Sequence, residues 1–493
     1  MSITASQLAD IRHITLPDLW TLKQDTHSLA IRHLSQTEAT FSCKVTGLRI
    51  VRGSAVQIRV DLDAGYSILV GRKKNTSSPV WKASTHVLTS RDFTVSDGLL
   101  SLTNAVWDKH PLLSGPALYD IAAHAKDSWA EALQFRQEVR AKEVVSAGFR
   151  PPQIGALHAV AAHWSISNKP ALVVMPTGTG KTEVMLACLL MRAPRRLLVL
   201  VPSDALRAQT VNKFIRLGVL PQLGVLKSGV INPVVGMIRK TFRSKSDVTP
   251  LQRCNVIVST VAAIQGVPKA VLSELLRAFD TVFFDEAHHL PALSWERISD
   301  ALKDQTVLQF TATPFRLDGR RIAGRIIYNF PLRLAQSQGY FRKIHFKEVY
   351  EHTREQADIA IAQKAIQQLR DDLASGYDHV LLARTERKEQ AEGIFNKIYA
   401  ANYADLKPVL IHSGIRGRRK VVDAIKTGIH KVVVCVDMFG EGFDMPSLKV
   451  GALHDPHKSL AITLACCRFQ RHRVRCMKEP GGGHGATHVY ARV

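Results

Sequence analysis

The chain predicts an α/β protein of two successive lobes built on parallel βαβ units, preceded by a first unit of mixed α+β character. A glycine-rich turn ending in Lys-Thr, at Met175 to Thr182, lies between an apolar run and an amphipathic helix. From Phe149 onward, short apolar runs alternate with helix-like stretches; the rhythm pauses over Pro331 to Tyr340 and then resumes. A length of 493 residues exceeds one ordinary core and implies about three domains. These are placed at 1–145, 146–335 and 340–493, with the pause as linker.

In the first unit, the alternation Val56-Gln57-Ile58-Arg59-Val60-Asp61-Leu62 predicts a strand with one buried face. A helical stretch is expected from Ala117 to about Val145. In the second, the apolar runs Ala171 to Met175, Leu197 to Val201, Val256 to Ser259, Val282 to Phe284 and Val307 to Phe310 read as buried parallel strands, which puts the chemistry at their C-terminal ends. The third repeats the pattern at Val380 to Ala383, Val409 to His412, Val432 to Val436 and Val450 to His454, and closes on a strand over Thr487 to Ala491.

Composition narrows the class. With 46% hydrophobic and 22% charged residues the chain is globular rather than disordered. It carries 66 Lys+Arg against 42 Asp+Glu, a net charge of +24. Up to Val145 there are 17 basic and 14 acidic residues, so most of the excess lies beyond. Such a field favours a polyanion, here nucleic acid, DNA ahead of RNA. Seven scattered cysteines (Cys43, Cys188, Cys254, Cys435, Cys466, Cys467 and Cys476) fit a reducing cytoplasm. No export leader and no apolar run of about 18 residues is seen, so no membrane role is expected.

In the turn Thr177-Gly178-Thr179-Gly180-Lys181-Thr182, glycines let backbone N–H groups converge on phosphate oxygens, Lys181 reaches the β- and γ-phosphates, and the Thr182 hydroxyl holds Mg2+. Asp285-Glu286-Ala287-His288 follows the apolar run Val282 to Phe284; Asp285 would anchor the metal ion and Glu286 would orient and deprotonate a water. Together the two motifs predict hydrolysis of a nucleotide with Mg2+. His288 and His289 are expected to couple the nucleotide and polymer sites rather than to bind metal.

Over residues 149–471 the motif order resembles the superfamily 2 helicases of the DEAD/DEAH-box type, nearest to the motor subunits of restriction and phage-defence systems. The resemblance implies two tandem RecA-like lobes with ATP in the cleft between them. It further implies that Gln153, in Phe149-Arg150-Pro151-Pro152-Gln153, reads adenine, and that Val201 to Gln209 and Ser259 to Gln265 contact the polymer. By the same resemblance, Thr311-Ala312-Thr313-Pro314 links hydrolysis to strand binding. The second lobe supplies Leu382 to Thr385, Ile411 to Gly414 and Val436 to Pro446, where Asp444 would contact the ribose or the last motif. Arginines at 468 and 471 would stabilise charge on the γ-phosphate.

The last motif departs from the family: Leu464 and Cys467 stand where Gln and Gly are usual, although the spacing of Arg468 and Arg471 survives. Three functions follow: a helicase or translocase, an ATP-gated nucleic-acid clamp with impaired turnover, or a motor subunit acting with a partner nuclease or methyltransferase. Zinc ligation by Cys467, Cys476, His484 and His488 is disfavoured by irregular spacing. A phosphodiesterase-like His124-Ala125-Lys126 is disfavoured because Glu131 stands where that signature has Asp. The first 145 residues are read as an accessory domain of unassigned task.

Overall fold

The computed structural model describes residues 10–51, 54–113, 120–141, 144–289, 298, 302, 304–315, 320–340, 344–412, 414–415, 418–436, 447–455 and 487–492. The fold is α/β: a mixed N-terminal sheet and two further sheets rich in parallel strands, in the manner of tandem RecA-like lobes. The chain divides into two compact units.

The first unit comprises Met1–Arg136, Leu186–Val199 and Thr210–Thr281. An eight-stranded sheet accounts for most of its N-terminal part. The expected alternation holds there: Ile58, Val60 and Leu62 enter a core with Ile14, Leu16, Ile68, Val70, Phe93 and Leu100, while Arg59 is exposed on the opposite face. The strands of the first 145 residues are, however, shared among three sheets. The hairpin Leu19–Asp25 and Leu29–Gln36 pairs antiparallel with Val235–Ile238, matching Ile31 to Gly236 and Leu29 to Ile238. Val235–Ile238 is in turn parallel to Val256–Thr260. His33 Nε2 lies 3.0 Å from the Asn232 carbonyl, and Asn232 Nδ2 donates to Leu34 O at 2.8 Å, pinning the register.

The helix expected over Ala117 to Val145 is a correction: among the described residues it is confined to Ile121–Asp127. Beyond it the backbone finds partners elsewhere. Gln134 N donates to Val225 O and Lys227 N to Ala132 O, while the Trp129 indole Nε1 donates to Ile231 O. Such cross-chain bonds outcompete the i→i−4 pattern that the local composition suggests. Farther on, Val139–Ala141 and Val144–Ser146 form an antiparallel pair.

The second unit comprises Gln137–Met185, Leu200–Gln209 and Val282–Val493. Its first sheet places Arg325–Asn329, Ala171–Val174, Thr306–Thr311 and Thr281–Phe284 side by side in that order. Across it runs the helix Pro151–Ile166, which approaches closely because Gly155 has no side chain: a Cβ there would lie 2.9 Å from the Tyr328 ring. The expected pause at Pro331 to Tyr340 holds a short helix, Leu332–Ser337, started by Pro331, whose fixed φ suits a helix N-terminus.

The second sheet of this unit has six parallel strands, in the order Ile344–Val349, Thr487–Arg492, Leu448–Leu453, Val380–Thr385, Val432–Val436, Val409–Ile411. Alternation decides which core each residue joins. Leu381 and Ala383 pack against the helix Arg354–Ala374 through Ile361, Ala365 and Leu369. Val380 and Leu382 join Ile425 and Val433 on the other face. Both faces are covered, which is why these strands read as unbroken apolar runs. At one strand end, His454 Nδ1 meets Asp358 Oδ1 at 2.8 Å and its Nε2 meets the Tyr399 hydroxyl at 3.0 Å, a buried polar link. No described helix is long and apolar enough to cross a membrane.

Candidate functional site

Ala171–Val174 ends in Met175, whose N–H donates to Thr311 O at 2.9 Å, and the chain turns through Pro176 to Gly180 into the helix Lys181–Arg192. Gly178 and Gly180 hold φ values of +93° and +97°, which side-chain-bearing residues rarely adopt. A Cβ on Gly180 would fall 1.9 Å from Gln153 Nε2. Thr179 closes the turn, donating from its hydroxyl to Pro176 O at 2.6 Å.

Lys181 Nζ donates to Glu286 Oε1 and Oε2 at 3.0 and 3.1 Å and to Thr177 Oγ1 at 3.3 Å. Lys181 and Glu286 are each 6% exposed. Glu286 follows the strand Thr281–Phe284 with φ +50°, a left-handed conformation unusual for glutamate, and its N–H caps back onto Asp285 Oδ1 at 3.0 Å. Thr311 Oγ1 donates its single proton to Thr313 O at 2.7 Å, so at its 3.0 Å contact with His288 the imidazole Nδ1–H must be the donor. His288 thereby ties the Asp-Glu-Ala-His segment to the strand Thr306–Thr311.

The turn, buried lysine and adjacent carboxylates brought together here fit a nucleoside triphosphate with Mg2+: backbone donors in a cradle with no room for a side chain, one cation for phosphate, and the Thr182 hydroxyl and Asp285 carboxylate as hard oxygen donors for a metal. Gln153, buried, accepts from Arg150 N at 2.8 Å and lies 3.4 Å from Gly180 O, so it braces the cradle from the start of its helix. Sequence reasoning assigned nothing to Arg150. Its Nη1 donates to Gly178 O at 3.1 Å and its guanidinium lies 5.8 Å from the Tyr340 ring centre. A cation immediately before Pro151-Pro152 was the available signal.

Asp444, Arg468 and Arg471 lie outside the described residues, as do Cys467, Cys476 and His484. His488 lies in a strand, stacked on His345 at 5.1 Å between ring centres. Among the described residues no group of three or more His, Cys, Asp or Glu is arranged to hold a metal ion. Cys43, Cys188, Cys254 and Cys435 are buried thiols outside any disulfide; burial pushes the Cys43 and Cys254 thiols up to about 11 and 12.

Residues 146–316 match the family described as "Type III restriction enzyme, res subunit" (ResIII). Over that segment the chain is similar to this family. Both halves of the site above, the cradle and the Asp-Glu-Ala-His segment, fall inside the matched segment. A "51.5 kDa protein" of Lactococcus phage (isolate 7-9) is 25% identical over 213 residues, 38% of this chain and 45% of the phage protein, so the match spans less than half of that relative. Among solved structures, the chain resembles the Pyrococcus furiosus Hef helicase domain (TM-score 0.40, 14% identity, 68% of this chain and 95% of that one). It also resembles S. cerevisiae Dbp5 bound to RNA and ADP BeF3 (TM-score 0.39, 14% identity, 70% and 88%).

Proposed function

We propose that the protein hydrolyses ATP with Mg2+ to move along, or separate, nucleic-acid strands. The observation that supports this best is the buried Lys181–Glu286 pair, which joins the two motifs of the matched segment in one site. In this reading Thr177, Gly178, Thr179, Gly180 and Lys181 hold the phosphates, Gln153 adjoins the base, and Thr182 and Asp285 hold the metal ion. Magnesium, when bound, offsets the phosphate charge. Glu286 takes the proton of the attacking water. Once Lys181 exchanges the carboxylate for a phosphate oxygen, that base is freed, so the ion pair doubles as a lock on idle turnover. By the family resemblance alone, Asp444, Arg468 and Arg471 are the candidates for contacts to the ribose and the γ-phosphate.

Leu464 and Cys467, in place of the usual Gln and Gly, favour a second reading in which ATP binding clamps nucleic acid with little turnover. The family description also suits a motor subunit paired with a nuclease or methyltransferase. One assay separates these: ATP turnover by the native chain, Lys181→Ala and Glu286→Gln, alone and with single-stranded DNA, duplex DNA or RNA. Turnover is expected to rise with polymer and to fall about 100-fold or more in both variants, while Glu286→Gln still binds ATP. Absence of stimulation by every polymer sinks the motor reading, and loss of ATP binding in Glu286→Gln makes that carboxylate structural. Stimulation without strand separation identifies a translocase.

A further inference from the structure

We propose that the N-terminal hairpin and the loop 239–243 form a phosphate-gripping ridge that extends the nucleic-acid contact surface of the matched segment. The inference rests on the nucleic-acid reading above and names a contact for it from a hairpin outside the family-matched segment, which begins at residue 146.

Topology sets the position. Val256–Thr260 and Val235–Ile238 are parallel, so both end at the same edge of their sheet. Val256–Thr260 runs there into the helix Val261–Gln265, the segment expected from sequence to touch the polymer. Val235–Ile238 runs into Arg239 to Arg243. Because the hairpin is antiparallel to Val235–Ile238, its turn, Thr26-His27-Ser28, falls at that edge as well. The pieces are fastened: Arg239 N donates to Ser28 O at 2.7 Å, Phe242 and Leu29 are buried, and a Cβ on Gly266 would meet Thr241 Oγ1 at 3.1 Å. The loop and turn thus continue the edge that Val261–Gln265 begins.

Charge sets the ligand. Residues 23–32 and 239–247 hold six Lys and Arg against two Asp. One carboxylate, Asp25, is shared by Arg32 at 2.7 Å and Arg239 at 3.2 Å. The other, Asp247, accepts from the Arg243 and Ser244 backbone N–H groups, which hold its carboxyl below the usual range. Lys240 Nζ lies 3.0 Å from His27 Nε2, and Lys23, Arg239, Lys240 and Arg243 are exposed. Lys245 is paired with Glu274 at 3.3 Å; the five remaining cations, gathered around Asp25 and Asp247, repel one another in the free protein, and a line of phosphates relieves the repulsion. Long cationic side chains of this kind suit the sugar–phosphate chain and carry no sequence preference.

The test uses the whole chain with Lys240 and Arg243 both changed to Gln, which leaves the Arg32–Asp25–Arg239 group intact. Dissociation constants for fluorescent 20-nucleotide single-stranded DNA, 20-base-pair duplex and 20-nucleotide RNA are measured by anisotropy between 50 and 200 mM salt. The double variant is expected to bind about 3- to 10-fold more weakly at low salt, with a log–log salt slope shallower by about 0.7–0.9 per lost contact. Lys240→Arg with Arg243→Lys keeps both values, and Lys364→Gln, on the helix Arg354–Ala374, leaves the slope unchanged. An unchanged affinity and slope in the double variant, where the native chain binds and its ATP turnover responds to polymer, overturns the ridge alone. Failure of the native chain to bind any of the three polymers overturns the motor reading and the ridge together.

Discussion

Glu286 combines two costs that a structural residue would avoid. Its left-handed backbone costs about 1–3 kcal/mol, and its buried carboxylate must be compensated by Lys181. A residue kept under those terms is poised for exchange of its partner, which agrees with the base role proposed for it. His33 shows the opposite economy. It is 2% exposed, and burial pulls its imidazole down to about 4, only partly countered by the bond to Asn232 O. The unfolded chain, with histidine near 6.5, therefore binds the proton first as pH falls. The stability from neutral His33 is complete above about pH 6.5 and is lost progressively down to about pH 4. Between pH 7 and 5 that loss is about 2 kcal/mol. His33→Gln can keep both the donor and the acceptor, so urea unfolding should show a pH 7-to-5 difference smaller by about that amount than in the native chain. An equal difference in the two proteins would show that the pH dependence comes from elsewhere.

At the level of the element, the helix Pro151–Ile166 is held against the strand Arg325–Asn329 by the missing side chain of Gly155. Gly155→Ala gains up to about 1 kcal/mol of helix propensity but forces a methyl group into the Tyr328 ring, at a cost of about 1–3 kcal/mol. The crowding should win, so denaturant unfolding is expected to show net destabilisation, and a more stable variant would mean that Tyr328 simply swings aside. Sequence legibility divides along the same physical lines. The strands Leu197–Val201 and Val432–Val436 were readable to the residue because parallel strands covered on both faces become continuous apolar runs. The Lys181 and Glu286 motifs were readable because each carries its chemistry in adjacent residues. The extended segment after Asp127 was not, since its partners at Val225 and Ile231 lie some hundred residues away and leave no local trace. For the same reason the pairing of Leu29–Gln36 with Val235–Ile238 is absent from any local pattern.

On the scale of the whole molecule, the +24 charge excess lies mostly beyond Val145, and the hairpin adds Lys23 and Arg32 to it at a sheet edge. The family-matched segment is consequently not a self-sufficient piece. A chain beginning at residue 146 would leave Val235–Ile238 as an apolar edge strand, with Gly236 and Val235 stripped of their neighbours Ile31 and Arg32. Size-exclusion chromatography should find it aggregated, or soluble only when a segment carrying residues 10–51 is co-expressed. A monodisperse 146–493 chain with a cooperative melt would show that the edge protects itself. The hairpin also sets a timetable for synthesis. His33 and its partner Asn232 are 199 residues apart, so at about 5–20 residues per second the finished hairpin waits roughly 10–40 s for the strand that will cover it. Through that interval Leu29 and Ile31 stay uncovered on the nascent chain. Slow translation upstream of Val235 should therefore raise the protein's demand for chaperones more than slow translation anywhere after it.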